Sequence, residues 1–307
     1  MKGSFNTPIL FLVFNRPDTT FSVFEQIRQI QPAQLFIAAD GPRASKPGEA
    51  ALCEQVRSIV QQVDWPCEVK TLFRENNLGC GKAVSEGITW FFSQVEAGII
   101  LEDDCLPGNS FFHFCSQLLQ YYQNDTRVWH IAGYTVYKGN ENSPFDYFFS
   151  EESPIWGWAT WRRVWQHYQL QITDLDQLET SPLRKHLRSN TTHAISALFD
   201  FKKVRTGKVN TWDYQYAFVQ LLNHGLTITP SKNLVENIGF SGTATHTLTM
   251  NQLHQQNPAA AVDYSNIRHP KWMLPDAAAD SFIYKKRTRL LKQLLIWPWY
   301  LLNYGKK

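Results

Sequence analysis

Gly98-Ile99-Ile100-Leu101-Glu102-Asp103-Asp104-Cys105 is an apolar run of strand length that stops on three consecutive acidic side chains. A run such as Gly98 to Leu101 reads as a strand buried on both faces, as in a parallel sheet flanked by helices. Ligands of such sheets bind just beyond the carboxyl ends of the strands, which is where Glu102, Asp103 and Asp104 emerge. Two carboxylates ~4 Å apart repel by roughly 4 kcal/mol at an effective dielectric of about 20. Protonation relieves that repulsion, and so does a hard divalent cation, which takes oxygen ligands. An arbitrary acidic triplet is most often a solvated turn. The buried run in front of this one points to a site.

Working outward, the first hundred residues alternate strand and helix signals, the pattern of a doubly wound parallel sheet. Pro8 to Phe14 is a second continuous apolar strand, closed by Asn15-Arg16-Pro17-Asp18. Asp18 or Thr19 can cap a helix carrying Phe21, Phe24, Ile27 and Ile30 on one side. Leu35 to Ala39 is a third strand, ending at the turn Asp40-Gly41-Pro42-Arg43. A helix over Pro47 to Val63 and a strand over Glu68 to Phe73 follow. In Arg74 to Lys82 the glycines Gly79 and Gly81 allow close backbone approach, and a helix from Lys82 to Val95 makes an anion-binding start there. That motif is neither a Walker loop nor GxGxxG.

Asn109 to Gln123 reads as a helix and Arg127 to Ala132 as a strand. Trp156 and Trp158 flank a glycine in a loop, where platforms for sugar rings are commonly built; packing in the core is the competing reading. Trp161 and Trp165 read as core residues on one helix face. Asp213 lies between Trp212 and Tyr214, just ahead of an apolar helix over Ala217 to Leu222. There it is either a first-turn acid that complements the helix dipole or a working carboxylate. Leu226 to Thr229 is a short strand, and Asn237 to His246 a glycine and hydroxyl loop ending in histidine.

A net charge of +3 in 307 residues is too small to argue for nucleic acid. The length suits one large α/β domain or two smaller ones. With 11 Trp and 20 Phe, some aromatics should line a pocket. The five cysteines form no CxxC pair and read as reduced thiols of a cytosolic protein. Met1 to Thr7 lacks a signal-peptide profile, and no uncharged apolar run reaches membrane-spanning length.

Together these pieces resemble the GT-A fold nucleotide-sugar glycosyltransferases, of the N-acetylglucosaminyltransferase I type and its bacterial relatives. The family's Glu-Asp-Asp at the end of an apolar strand, its form of the DxD motif, is matched by Glu102-Asp103-Asp104. Its Gly-Trp element matches Gly157-Trp158, its Trp-Asp with the catalytic base matches Trp212-Asp213, and its Ser-His loop matches Thr245-His246. The order agrees from about Pro8 to His246. The resemblance implies a mixed, mostly parallel, Rossmann-like sheet flanked by helices, with a helical C-terminal tail. It implies a catalytic domain over 1–250, with a nucleotide-sugar half to about 135 and an acceptor half from 136.

By the same resemblance Asp104 binds Mn²⁺ or Mg²⁺, with His246 as a second candidate ligand, and Asp103 and Glu102 contact ribose and donor sugar. Phe14, Asn15, Arg16 and Asp40 recognise base and ribose, Arg74 lies near the nucleotide, Trp156, Gly157 and Trp158 face the acceptor or sugar, and Asp213 is the base. The implied reaction is inverting transfer from a nucleotide-diphosphate sugar, a UDP-sugar such as UDP-GlcNAc, to a hydroxyl of a glycan or glycolipid. Two alternatives stand beside it. One is nucleotidyl transfer onto a sugar phosphate, which the glycine-free Asn15-Arg16-Pro17-Asp18 counts against. The other is a sugar-binding relative without turnover.

Residues 251–307 form a polar, proline-containing stretch and then a basic, amphipathic, Trp-rich tail from Ser281. The tail reads either as a segment for an anionic membrane surface or as a helix packed on the domain. The first reading places the protein at the inner face of a membrane.

Overall fold

The computed structural model describes residues 5–181, 187–188, 190–239 and 257–287. Strands β1 (Ile9–Val13), β2 (Gln34–Ala39), β3 (Glu68–Phe73) and β4 (Ala97–Glu102) alternate with helices α1 (Pro17–Ile30), α2 (Glu49–Val60) and α3 (Gly79–Phe92). A short β5 (Cys105–Pro107), α4 (Asn109–Tyr121), β6 (Val128–Ala132), β7 (Tyr147–Ser150) and β8 (Trp158–Trp161) follow. Beyond them lie α5 (Arg162–Trp165), α6 (Leu175–Thr180), α7 (Thr191–Arg205), α8 (Asp213–Leu222), β9 (Leu226–Pro230), β10 (Val235–Asn237) and α9 (Ala277–Arg287).

Eight strands make one sheet in the order β3-β2-β1-β4-β8-β6-β9-β7. The run β3-β2-β1-β4 is parallel, β8 and β7 run against their neighbours, and β6 and β9 pair in parallel. This is the mixed, mostly parallel, Rossmann-like α/β arrangement expected from the sequence. Strand β1 lies inside the sheet, and its five residues are all buried because β2 and β4 cover both its edges. From β1 the chain winds outward through β2 and β3, then returns to the other side of β1 as β4. The strand order therefore reverses between β1 and β4, the place where open α/β sheets take their ligands. The register pairs Leu12 with Glu102 and Val13 with Ala39, so the three strands end side by side.

Several local expectations differ from the structure. Helix α1 is capped at Arg16 with Pro17 in its first turn and no side-chain cap, so neither Asp18 nor Thr19 has that role. Its buried face is Thr20, Val23, Phe24 and Ile27, and Phe21 points outward. Trp158 to Trp161 is an antiparallel strand between β4 and β6, where the sequence suggested a loop at Trp158 and a helix from Trp161. Helix α3 begins at Gly79 and α8 at Asp213, each three or four residues ahead of its apolar signal. The antiparallel pair β5–β10 carried no signal in three residues each.

The C-terminal region divides at Arg287. Helix α9 packs on the sheet edge at β7: Asp280 accepts hydrogen bonds from the Ser150 hydroxyl (2.5 Å) and the Glu151 N–H (3.1 Å), and buried Tyr284 stacks on His193 at 4.0 Å. Up to that point the tail packs on the domain. The rest of the basic Trp-rich stretch lies outside the described residues, as do Thr245 and His246. Among the described residues no helix is long and apolar enough to cross a membrane. All five cysteines are free thiols.

Candidate active site

A cavity of about 410 Å³ opens at the carboxyl ends of β1, β2 and β4. Phe14, Asn15, Arg16, Asp40, Arg74, Glu102 and Asp103 all border it, so it gathers every nucleotide-side residue singled out in the sequence. Asp103 turns inward, 3% exposed, where it accepts the Phe14 N–H (3.3 Å) and pairs with Arg16. Arg16 also donates through Nη1 to Asp104 Oδ2 at 2.9 Å. One guanidinium thus bridges the two carboxylates and ties the end of β4 to the end of β1.

The electrostatics follow from crowding. Burial, then the charges of Asp104, Asp103 and Asp213, push Glu102 up to about 8, so it keeps its proton at neutral pH. Burial outweighs Arg16 at Asp103 and pushes it up to about 6. Desolvation at the cavity wall, then the charges of Glu102, Asp213 and Asp40, push Cys80 up to about 11, which keeps it a thiol at neutral pH although its residue is exposed. The charge of Asp213 acts on both Glu102 and Cys80 although Asp213 does not border the cavity and α8 lies more than a hundred residues further along the chain.

Asp213 is brought there by the glycine-rich stretch. The Gly81 N–H donates to Asn210 Oδ1 at 3.1 Å. A Cβ at Gly81 would lie 2.6 Å from that oxygen and 3.0 Å from the Thr211 carbonyl oxygen. Close backbone approach is therefore what Gly81 provides, toward the chain's own Asn210–Thr211 rather than toward an anion. The Leu78 and Gly79 N–H groups are taken by Asp40 at 3.0–3.1 Å. The anion-binding start expected at α3 is thus filled by protein carboxylate and amide. Asp40 also accepts from Asn77 Nδ2 (2.9 Å) and its own turn at Gly41 (2.9 Å). Its oxygens are saturated, which makes it the anchor of the α3 start and leaves none for a base or ribose.

The tryptophans separate. Trp158 is fully buried, stacked between His130 (5.0 Å) and Trp212 (5.6 Å), and offers no face to a sugar. It supports the residue directly before Asp213, whose carboxylate accepts the Thr211 hydroxyl. Burial without a charge partner lowers His130 to about 4, so this stack is neutral. Gly157 (φ +61°) makes the turn into β8. Trp156 is half-buried, edge-on to Tyr134 at 4.5 Å, and keeps part of its ring at the surface. Trp161 and Trp165 are core residues as expected.

Glu49 and Arg43 were not singled out as site residues in the sequence. Glu49, at the start of α2, accepts Asn15 Nδ2 (2.9 Å), the Arg43 N–H (2.7 Å) and the Arg43 guanidinium. The guanidinium beside it holds Glu49 down at about 2. Arg43 in turn lies 5.6 Å over the Phe14 ring. Arg74 donates to Glu86 at 3.3 Å.

Among the described residues, no three His, Cys, Asp or Glu side chains form a set that would hold a metal ion unaided. Small hard cations of the phosphate-transfer type need fewer: one or two carboxylates, with substrate oxygens and water completing the shell. Asp104, partly exposed and next to the cavity-lining Asp103, fits that mode once Arg16 releases it. The Ile238 N–H holds the Asp104 carbonyl (2.8 Å), and Gly239 covers the carboxylate so closely that a Cβ there would lie 2.5 Å from Oδ2.

No protein-family model matches the sequence, and no curated protein matches it. Solved structures with similarity include a UDP-glucose pyrophosphorylase complexed with UDP-glucose (12% identity, 76% of this chain and 94% of that one, TM-score 0.37). Mouse xyloside xylosyltransferase 1 in its apo form shares 11% identity over 70% of this chain and 81% of its own (TM-score 0.33). A 4-diphosphocytidyl-2C-methyl-D-erythritol synthase from Anaerococcus prevotii shares 8% over 64% and 84% (TM-score 0.34). With such scores the fold assignment rests on the strand order itself.

Proposed function

We propose that the protein is a metal-dependent, inverting glycosyltransferase that moves a sugar from a nucleotide-diphosphate donor, a UDP-sugar such as UDP-GlcNAc, to a hydroxyl of a glycan or glycolipid. One observation carries this reading: Glu102 and Asp103 at the end of β4 line the cavity, with Asp104 next to them, while a second acid, Asp213, lies outside that lining but is tied through Thr211 and Asn210 to the α3 start that borders it. Transfer needs both. One group must serve the leaving diphosphate and the other must take the acceptor's proton on the opposite face of the sugar.

In this mechanism the Phe14 to Arg16 loop, fixed by Glu49 and Arg43, seats the nucleotide. Glu102 hydrogen-bonds to a ribose or sugar hydroxyl. Asp103 holds the loop through the Phe14 N–H. Asp104 would hold Mn²⁺ or Mg²⁺, which neutralises diphosphate charge when bound. Asp213, oriented by the Thr211 hydroxyl and backed by Trp212 on Trp158, accepts the acceptor hydroxyl's proton. Trp156 with Tyr134 offers the remaining aromatic surface for a sugar ring. The basic stretch after Arg287 is the part proposed to meet an anionic membrane surface carrying a lipid-linked acceptor.

The test is transfer or donor hydrolysis across UDP-, GDP-, dTDP- and CMP-sugars with and without Mn²⁺. Release of a nucleoside diphosphate that requires Asp213 supports the reading. Formation of a nucleotide sugar and pyrophosphate from a nucleoside triphosphate and a sugar phosphate would replace it with nucleotidyl transfer, and binding without turnover would leave a sugar-binding protein.

A further inference from the structure

Arg16 is placed unusually for a residue beside a metal site. Its backbone is set by Pro17 and the start of α1, and its side chain crosses from the end of β1 to the end of β4. Its two partners are unequal. Asp103 is buried and further tied to the Phe14 N–H, whereas Asp104 is the more exposed and takes a single Arg16 nitrogen on Oδ2. Gly239 lies close over the pair, where a Cβ would come 2.9 Å from Arg16 Nη1.

We infer that Arg16 competes with the divalent cation for Asp104 in the nucleotide-free protein and passes to the donor's diphosphate when the cation takes that place. The inference rests on the proposed metal-dependent transfer. A guanidinium carries five donors in a rigid fork. Its Nη2 can stay on Asp103 while Nη1 turns from Asp104 Oδ2 to a phosphate oxygen, since the half-exposed side chain borders the cavity. The same Oδ2 cannot serve Arg16 and a divalent cation together, because the two cations would repel at contact range. The metal alone therefore binds against Arg16, and nucleotide removes the opposition by offering Arg16 a second anion. Metal and nucleotide then raise each other's affinity by the same factor.

The experiment measures Mn²⁺ binding to the full chain without nucleotide, by the electron paramagnetic resonance signal of free Mn²⁺. UDP binding at saturating Mn²⁺ is measured by calorimetry. Arg16→Gln should bind Mn²⁺ alone about tenfold more tightly, since a repelling charge and a competing donor are both gone. It should bind UDP about tenfold more weakly, having lost a charge-assisted phosphate contact. Arg16→Lys keeps the charge that balances buried Asp103 and so guards against a folding failure. It lacks the fork, and should raise metal-only affinity about threefold. Nucleotide-free Mn²⁺ affinity equal to or weaker than the parent's in both variants overturns the inference, as does unchanged UDP affinity in Arg16→Gln. If the parent binds UDP with Mn²⁺ while the variants behave in that way, Arg16 alone is misassigned. A parent that binds neither UDP nor Mn²⁺ sinks the transferase reading and this inference together.

Discussion

Replacing Gly81 with alanine tests whether the loop that carries Asp213 is seated on the α3 start. The added Cβ would lie 2.6 Å from Asn210 Oδ1 and 3.0 Å from the Thr211 carbonyl oxygen, both inside normal contact. The Asn210 side chain must swing away, losing its bond from the Gly81 N–H, a loss of about 1 kcal/mol. The Thr211 backbone must also retreat by a few tenths of an ångström, and overpacking of this kind costs about 1–3 kcal/mol. Against this, alanine in place of glycine favours the helix by about 1 kcal/mol. The clash wins, leaving a net loss of about 1–3 kcal/mol. At about 2–4 °C per kcal/mol for a domain near this size, the melting temperature should fall by several degrees. Because Thr211 holds Asp213, turnover should drop by about tenfold, less than the ~10²-fold that a full ångström of misplacement can bring. UDP affinity should stay within about twofold. Thermal unfolding, UDP calorimetry and initial rates decide it. In an Asn210→Ala background the closest contact is gone, and Gly81→Ala should then be milder. A Gly81→Ala protein as stable and active as the parent would refute the seating argument.

Asp213→Asn keeps the shape at the start of α8 and should lower turnover ~10²–10⁴-fold with UDP affinity nearly unchanged; turnover within a few-fold of the parent would return Asp213 to a helix-dipole role. Asp104→Asn should abolish the Mn²⁺-dependent part of UDP binding and leave the melting temperature in place; equally tight binding with Mn²⁺ would contradict the metal assignment. Glu49 is held at about 2 in the folded chain, so its contribution is complete above its ordinary value of 4.5 and is lost as pH falls through about 2. After allowance for half-exposed Arg43, that contribution is about 1 kcal/mol. The gap in stability between the parent and Glu49→Gln should thus be flat from pH 7 to 5 and close toward pH 2. A chain ending at Arg287 should keep its melting temperature and lose sedimentation with anionic liposomes, whereas a chain ending before Tyr284 should be destabilised, because Tyr284 packs on His193.

Strands β1, β2 and β4 were legible because they are buried on both faces and so are written as apolar runs, whereas β3, at the sheet edge, is largely exposed and showed itself only by its length and place between helices. The acidic triplet was legible for the same reason: the register that ends β4 beside β1 leaves its carboxylates nowhere else to emerge. Strand β8 was not, because Trp158 to Trp161 is buried at every position and four residues long, too short for a period to declare itself. The supports of the site were hidden for a different reason. Gly81 meets Asn210 across 129 positions, and Asn15 meets Glu49 across 34. Each partner alone looks like an ordinary loop or helix-start residue. Trp158 beside glycine suggested a platform; the neighbouring Trp212 and His130, distant in sequence, are what enclose it.

The interior position of β1, between β2 and β4, also has a consequence for how the chain emerges from a ribosome. Once residue 39 is out, β1 has β2 on one edge, but its other edge waits for β4, which ends at Glu102. At about 5–20 residues per second, the Ile9 to Val13 backbone stands open for about 3–13 s. Strand β4 then waits in turn for Trp161. Both waiting edges are apolar and free of proline, the kind that pairs with other chains. Yield in a cell-free system should accordingly respond to added holdase chaperone, most strongly while nascent chains lie between these two lengths.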